Sequence, residues 1–581
     1  MTNQNTVLYD RLFAALDAVD EGEFRTGTPN GNIVCRSDLD PTAIYPGSQF
    51  FPVIEGGFFT FNPGDGSCRP ISIFNGENSV SAAGVDFITT PTTTRSRIEQ
   101  LVVNATVVGD TGSFFTLPGG PVGFVVGAEY RDEKSRTRLD PLDLGILQID
   151  TPFGNAGDFI GDISGNQALT FDAQTRSFDS GGSYDVKEVY GELRLPILSD
   201  MPFAETLELS GAARYSDYSN IGSTFTWNVG AIFAPIEDIR FRGTYAKAVR
   251  APNIFELFSP QQGTVFRPAD PCDIAQIQTL LQADATAGAQ RRDNCYAELS
   301  GLGFNFNTNP YQDPLTARFS GTTGGNPDLE EETAETYTAG VVLRPRFIPG
   351  LTITADYYDI TIEDAIDAVS AQDIVDSCYD ATDFPNQFCD FFTRNTNAGS
   401  PTLGGFTFLR QSQINFGRIE TAGVDATVTY GFDIGEFDIG LRAQGSWVDR
   451  IDFFFDPTDP INVDPELGEQ GRPEWQAAGG VSVGYGPFSL GYRLQWIDKQ
   501  ALGGVEIETA DVVAGPAGFA DDVFIHDVSF NLEVDDRFSF YGGVNNLTDV
   551  DPYPTNSAYP VSPYGRYFFV GVRLRSDALG F

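Results

Sequence analysis

Three runs within Leu207–Phe258 alternate strictly between apolar and polar or small side chains. One parity holds Leu207, Leu209, Gly211, Ala213 and Tyr215, then Phe225, Trp227, Val229, Ala231 and Phe233, then Ile239, Phe241, Gly243 and Tyr245. The other holds Glu208, Ser210, Arg214, Thr226, Asn228, Arg240, Arg242 and Thr244. A period of two predicts strands with one apolar face. A soluble sandwich alternates as well, but each run here has the length of a tilted membrane-crossing strand, about 9–11 residues. The pattern recurs and predicts fifteen strands, near 98–108, 122–132, 186–195, 205–217, 224–235, 238–248, 333–345, 350–362, 416–432, 435–448, 474–485, 487–500, 522–533, 536–545 and 565–575.

The connections sort by length. On one side they are brief, at Pro235–Asp238, Pro345–Gly350, Asp433–Gly435, Gly486 and Asp535–Asp536, with 109–121 and 196–204 somewhat longer. On the other they run long, at 133–185, 249–332, 363–415, 449–473, 501–521 and 546–564, with Ser219–Ser223 the short exception. Short turns inside and long loops outside mark a bacterial outer-membrane barrel. All four tryptophans, Trp227, Trp447, Trp475 and Trp496, lie on the apolar parity at the long-loop end. Phe233, Phe437, Tyr485, Phe488 and Phe538 do the same at the short-turn end, completing two interfacial girdles. The strand arginines Arg240, Arg242, Arg442, Arg493, Arg573 and Arg575 keep to the opposite parity. That sorting is expected because a midplane charge on the lipid face costs roughly 2–4 kcal/mol. The fold class is therefore all-β, a transmembrane antiparallel β-barrel with long extracellular loops, and Val229 and Val481 should touch lipid.

Composition fits this picture. Of the 581 residues 41% are hydrophobic, 13% are aromatic and 62 are glycine. Mean hydropathy is −0.16, and no window approaches 18 consecutive apolar residues, so no membrane-spanning helix is expected. A formal net charge of −44 argues against a nucleic-acid partner and is read as solvated acidic loops, with a cation-attracting vestibule as the alternative.

The six cysteines form three close pairs, Cys35/Cys68, Cys272/Cys295 and Cys378/Cys389, each within one predicted outer loop. Fifteen pairings are possible, and neighbours in one loop are the expected disulfides, worth roughly 2–4 kcal/mol each. No C-x-x-C occurs, and His526 is the only histidine, on the apolar parity, so no metal or cofactor is expected. No G-x-S-x-G, H-E-x-x-H or G-x-x-x-x-G-K-[ST] is present, and the chain does not read as an enzyme. In the loop 449–469, Asp449, Asp452, Asp456, Asp459, Asp464, Glu466 and Glu469 are dense enough to hold calcium but lack the spacing of an EF-hand loop. Loop 249–332 should carry a helix over Ile274–Ala287, and its Phe304, Phe306 and Tyr311 are read as packing groups or as a stacking surface for ligand.

Met1–Val19 lacks the apolar core of a signal peptide, while Leu8, Leu12, Leu16 and Val19 share one face of a short helix. Residues 1–97 read as an extracellular loop region with that helix, and 98–581 as the barrel. A path from a long-loop region to the short-turn side crosses an odd number of times. Single-chain bacterial barrels have even strand numbers, so a further odd number of strands is expected upstream.

Four motifs then make a resemblance specific. Arg242–Phe258, ending in Arg250, Ala251, Pro252, Asn253, Glu256, Leu257 and Phe258, resembles the R-A-P-N/S-x-x-E-L-F strand exit of TonB-dependent outer-membrane receptors. Asn326–Pro345, Gly417–Tyr430 and Gly542–Tyr553 resemble three further barrel motifs of that family, in the same order. The resemblance implies a 22-stranded barrel, of which seven strands and the N-terminal plug with its TonB box are not in this chain. It also implies a bacterial outer-membrane location and partners comprising outer-membrane lipid, the TonB complex in the intact protein, and a scarce nutrient such as siderophore-iron, cobalamin or oligosaccharide. Arg214, Arg240, Arg242, Arg442 and Arg493 would face the lumen, where they line a ligand path or pair with plug carboxylates. A passive porin or a surface-adhesion barrel is the alternative. Ser576–Gly580 separate the last strand from Phe581, the expected assembly-signal aromatic.

Overall fold

The computed structural model describes residues 2–41, 60–74, 80–146, 170, 178–260, 262–454, 463–502, 518–535, 537–554 and 558–575. Fifteen long strands dominate it. They are β1 (Arg95–Asp110), β2 (Gly123–Arg138), β3 (Ser180–Met201), β4 (Ala204–Tyr218), β5 (Gly222–Ile236), β6 (Ile239–Arg250), β7 (Glu332–Leu343) and β8 (Leu351–Ala368). The series continues with β9 (Phe406–Ile434), β10 (Phe437–Phe454), β11 (Trp475–Tyr485), β12 (Phe488–Ile497), β13 (Val523–Glu533), β14 (Phe538–Asn545) and β15 (Tyr567–Leu574). Each pairs antiparallel with the next, so one barrel sheet runs from β1 to β15. All fifteen stand where the alternation predicts them.

Directly opposed residues share a face, so the registers assign the two surfaces. Val229 faces Gly211 and Tyr245, and Val481 faces Leu441 and Tyr492, all on the outer face. Val229 is 50% exposed and Val481 40%, as are many apolar neighbours around the sheet. An apolar surface of that extent needs a non-aqueous neighbour, and lipid supplies it. Rings of the outer girdle touch across strands: Trp227 meets Tyr245 edge-on at 4.9 Å, Tyr245 stacks on Tyr337 at 4.3 Å, and Trp447 lies 6.0 Å from Trp475. Both Trp447 and Trp475 donate their indole N–H to Glu474, and Trp496 donates to Asp522. Their rings thus sit in the apolar band and their polar edges meet the wet side. Tight turns close the opposite end, where Gly435 (φ 63°) and Gly486 (φ 53°) take the left-handed conformation that a side chain resists.

Three expectations need correction. Residues 1–97 hold more than a loop with one helix. They contain α1 (Tyr9–Leu16), α2 (Glu21–Thr26), α3 (Arg36–Leu39) and α4 (Ala82–Ile88), with a small core of Ala14, Ala15, Phe61, Ile71, Phe87 and Ile88 beside the Cys35–Cys68 disulfide. Such short helices, joined by Gly- and Asn-rich loops, leave too few turns for a period to show. Val19 lies beyond α1, in the short strand Ala18–Asp20. The single helix expected over Ile274–Ala287 is two, α6 (Ile274–Ala283) and α7 (Ala285–Leu299), because Asp284 ends the first and caps the second by accepting from the Thr286 and Ala287 N–H groups. Two further helices follow strands: α5 (Ile254–Phe258) follows β6, and α8 (Ala371–Asp380) follows β8. Finally, β8 and β9 outrun the barrel. The 29 residues of β9 span roughly 95 Å, and its pairing with β8 persists to Ala368 opposite Gln413.

The two faces predict opposite responses to charge. Val481→Arg should lower folding stability in lipid vesicles by roughly 2–4 kcal/mol, whereas its neighbour Ser482→Arg, on the inner face, should change it by less than about 1 kcal/mol. Urea titrations followed by tryptophan fluorescence separate the two, and equal losses would refute the assignment of faces.

Candidate functional site

The first two motif segments meet at the mouth of the barrel. Asn253 caps α5 by accepting from the Phe255 and Glu256 N–H groups, and the Glu256 carboxylate accepts from Asn253 N–H at 2.8 Å, a reciprocal capping box. Arg250 bridges Glu256, at 3.0 Å, and Glu332 at the start of β7. Glu332 also accepts from the Ile366 N–H on β8. Asn326 N–H donates to Glu256 O at 2.8 Å, and its amide donates to Gln413 O on β9. Leu257, Leu329 and Ile366 are buried together, with Phe258 packed against them. Phe258 also covers Gly182 on β3, where any Cβ would collide with its ring. Ala251 and Pro252 turn the chain between strand and helix, and Pro252 is buried. The motif residues thus form a latch that returns an 81-residue excursion to the rim between β6 and β7 (residues 251–331).

Above the latch the loops 249–332 and 363–415 fold into one cap. Cys272–Cys295 staples the first loop and Cys378–Cys389 the second. Arg394, 1% exposed, meets Asp270, 0% exposed, through two parallel hydrogen bonds at 2.6 and 2.8 Å, the bidentate fork that carboxylates match best. Arg394 also donates to Gly404 O and Tyr379 Oη, and its guanidinium lies 4.2 Å over the Phe406 ring. Tyr311 Oη donates to Asp270 at 2.9 Å. Burial raises the Tyr311 and Tyr379 hydroxyls well above their ordinary values, so both stay neutral donors. Arg291 of α7 pairs with Asp376 and Asp380 of α8. Of the three aromatics singled out in sequence, Tyr311 and Phe304 pack edge-on at 5.1 Å and Phe306 meets Tyr296, so they serve the cap core.

Two cavities lie beneath the cap on the inner face. At the mouth, a half-open recess of about 300 Å³ is lined by Thr137 and Ser180 at the top of β2 and β3, Phe255 of α5, Gln262, Thr323 and Gln413. Leu139, Phe178, Ser259, Pro260, Gly324 and Gly325 complete the lining, and none of the twelve residues is charged. Deeper along the same strands, about 500 Å³ is lined by Arg131, Glu188, Tyr190, Glu192, Arg214 and Asn228 among others. There Arg214 pairs with Glu188 at 3.1 Å and lies 4.7 Å over the Tyr190 ring. Farther round, Arg242 pairs with Asp356, while Arg493 joins Asp425, Gln444, Gln476 and Gln495 around a third inner recess. Arg442 reaches Gln444, and Arg240 has no ion-pair partner among the described residues. The mouth can hold a neutral ligand through ring stacking and hydroxyl or amide hydrogen bonds; the deeper wall presents paired charge.

The sequence profile described as TonB dependent receptor-like, beta-barrel matches residues 57–547. The chain belongs to this family. Members of the TonB-dependent receptor family are receptors and transporters, and siderophore receptors are among the solved structures similar to this one. PirA from Acinetobacter baumannii aligns at 13% identity and a TM-score of 0.49 over 88% of this chain and 57% of its own. A ferric enterobactin receptor (PfeA) variant from Pseudomonas aeruginosa, in complex with enterobactin, aligns at 14% and 0.48 over 84% and 55%. The chain thus spans a little over half the length of these receptors. No curated protein matches it at a significant level.

Asp270 and Arg394 escaped the sequence reading, since nothing but a cysteine two residues on marks Asp270 and nothing marks Arg394. Asp456 and Asp459 of the acidic loop lie outside the described residues, as does Phe581, and no group of three or more metal-ligating side chains gathers among the described ones.

The cap can be tested in two ways. Arg394→Met leaves the Asp270 carboxylate buried without its partner and should cost the cap roughly 3–5 kcal/mol. Hydrogen exchange at α6–α8 should accelerate while strands β10–β12 stay protected. Burial also pushes the Asp376 carboxyl up to about 6, against the opposing pull of Arg291. The folded value lies above that of an unfolded aspartate, so the folded cap binds the extra proton. This carboxyl therefore makes cap stability fall as pH rises from about 4 through 6. In Asp376→Asn the same exchange profile should lose that part of its slope; an unchanged slope would exclude this group.

Proposed function

We propose that this chain is the ligand-capturing part of a bacterial outer-membrane receptor that imports a scarce nutrient by TonB-dependent active uptake. The observation that carries the reading is the uncharged mouth cavity, set between a latch built from family motifs and a cap fastened above it. Siderophore-iron, cobalamin and oligosaccharides are the ligand classes considered, and a plug domain in the intact receptor would link the barrel to the TonB complex. Phe255 is 73% exposed and offers its ring to the mouth, with Gln262, Thr323 and Gln413 placed to hydrogen-bond a neutral, polar ligand. A passive porin would need no energy and would have no reason to keep a folded cap.

Uptake measured in cells carrying the full-length receptor distinguishes these. Import of the cognate nutrient should stop when the proton gradient is collapsed or when TonB is deleted; uptake that persists would favour the porin. Phe255→Ala should weaken ligand binding by about fivefold or more, the loss of a stacking contact worth about 1 kcal/mol, without altering barrel folding. Unchanged affinity would move the site elsewhere.

A further inference from the structure

The outer face of β1–β3 departs from the rest of this acidic protein. Below, it is apolar: Val103, Val107, Val126 and Val189 lie on it, ending at Tyr130. Above Tyr130 the same parity carries Lys134, Arg136 and Arg138 on β2, Arg97 and Arg95 on β1, and Lys187 on β3, the last directly opposite Tyr130. Six of the chain's 36 lysines and arginines therefore share one patch. The acids on that face are Glu99, Asp132 and Asp185, and each is engaged by a cation of the patch, Arg97, Lys134 and Lys187 respectively. Arg95, Arg136 and Arg138 have no ion-pair partner among the described residues. Moreover, Arg95 stands directly opposite Arg138, and Arg97 opposite Arg136. Two successive arginine pairs across a ladder repel one another, a destabilising arrangement unless an anion sits between them.

We propose that this patch docks the phosphate-bearing headgroups of lipids in the outer leaflet. Its height supports the assignment. At about 3.3 Å per residue, Lys134 to Arg138 begin roughly 13 Å along the strand beyond Tyr130, and their side chains can reach back toward it. Guanidinium forks match phosphate oxygens in pairs, and the lipid surface brings many such anions together. The proposal rests on the membrane placement of the barrel but is independent of which nutrient is imported.

The test uses the full-length receptor in detergent, with bis-phosphorylated lipid A, the same lipid stripped of phosphate, and inorganic phosphate as probes. Native mass spectrometry should show wild type retaining the bis-phosphorylated lipid at least tenfold more than the stripped one, with millimolar inorganic phosphate failing to displace it. Arg95→Gln/Arg136→Gln/Arg138→Gln should lose that preference at least tenfold, while a cap control of equal charge, Arg292→Gln/Arg318→Gln/Arg410→Gln, should keep it. Heat-modifiable migration on gels verifies that each variant is folded. Equal retention by the strand triple variant, or displacement by free phosphate, would overturn the proposal. A wild type that stays soluble and monodisperse without detergent would overturn the membrane placement instead.

Discussion

Hydrocarbon offers no hydrogen bonds, and each backbone polar group left unpaired in it costs several kcal/mol. That penalty dictates the antiparallel ladder of this barrel, in which each of fifteen strands pairs with the next. Once the ladder is fixed, side chains must alternate between lipid and lumen, and the other regularities follow. Val229 and Val481 stay outside, Arg242 and Arg493 inside, and irregular chain is expelled to the two ends. The glycines at 435 and 486 mark the end where strands reverse with least chain.

Water removes the penalty at the other end, and there the chain could have stayed loose. It folds instead around charge. Arg394 and Asp270 come from different loops, 124 residues apart; both are buried, and the guanidinium lies over the rings of Tyr311, Tyr379 and Phe406. Desolvating two charges offsets much of their attraction, so the pair adds little net stability over an apolar core of the same volume. What it supplies is register: a two-pronged fork that also donates to Gly404 O and Tyr379 Oη admits one relative placement of the two loops. The disulfides Cys272–Cys295 and Cys378–Cys389 each constrain one loop; the ion pair joins them.

The difference between what was legible in sequence and what was not follows from the range of the forces involved. Strand positions, faces and girdles could be read because the period of two is local, set by neighbours along the chain and one uniform solvent. The latch was half legible. Its residues stood out by resemblance, but that Arg250 would clasp Glu332 across 82 positions is written only in the register of β6 against β7. Of the cap, the cysteine pairs, a helix near 274–287 and the packing of Phe304, Phe306 and Tyr311 were legible, but its central ion pair was not, since Asp270 looks like any loop aspartate until Arg394 is brought to it. Segment 1–97 was misread for a related reason: short helices stapled by Cys35–Cys68 draw their order from contacts distant in sequence.

The pairing of inner charges bears on how a ligand would travel in the proposed receptor. Arg214 and Arg242 are engaged by Glu188 and Asp356 of the wall itself, so neither leaves a free positive charge at its level of the lumen. Arg240 and Arg493 carry no ion pair among the described residues, and Arg442 has only the Gln444 amide. Attraction for an anion is therefore concentrated at these positions and at Arg573, which faces inward without an ion pair among the described residues, away from the uncharged mouth. A mouth without charge neither repels nor traps a ligand by its ionisation, which suits capture by shape and hydrogen bonding from a dilute medium. Charge acts only deeper, on exposed side chains of the lumen wall.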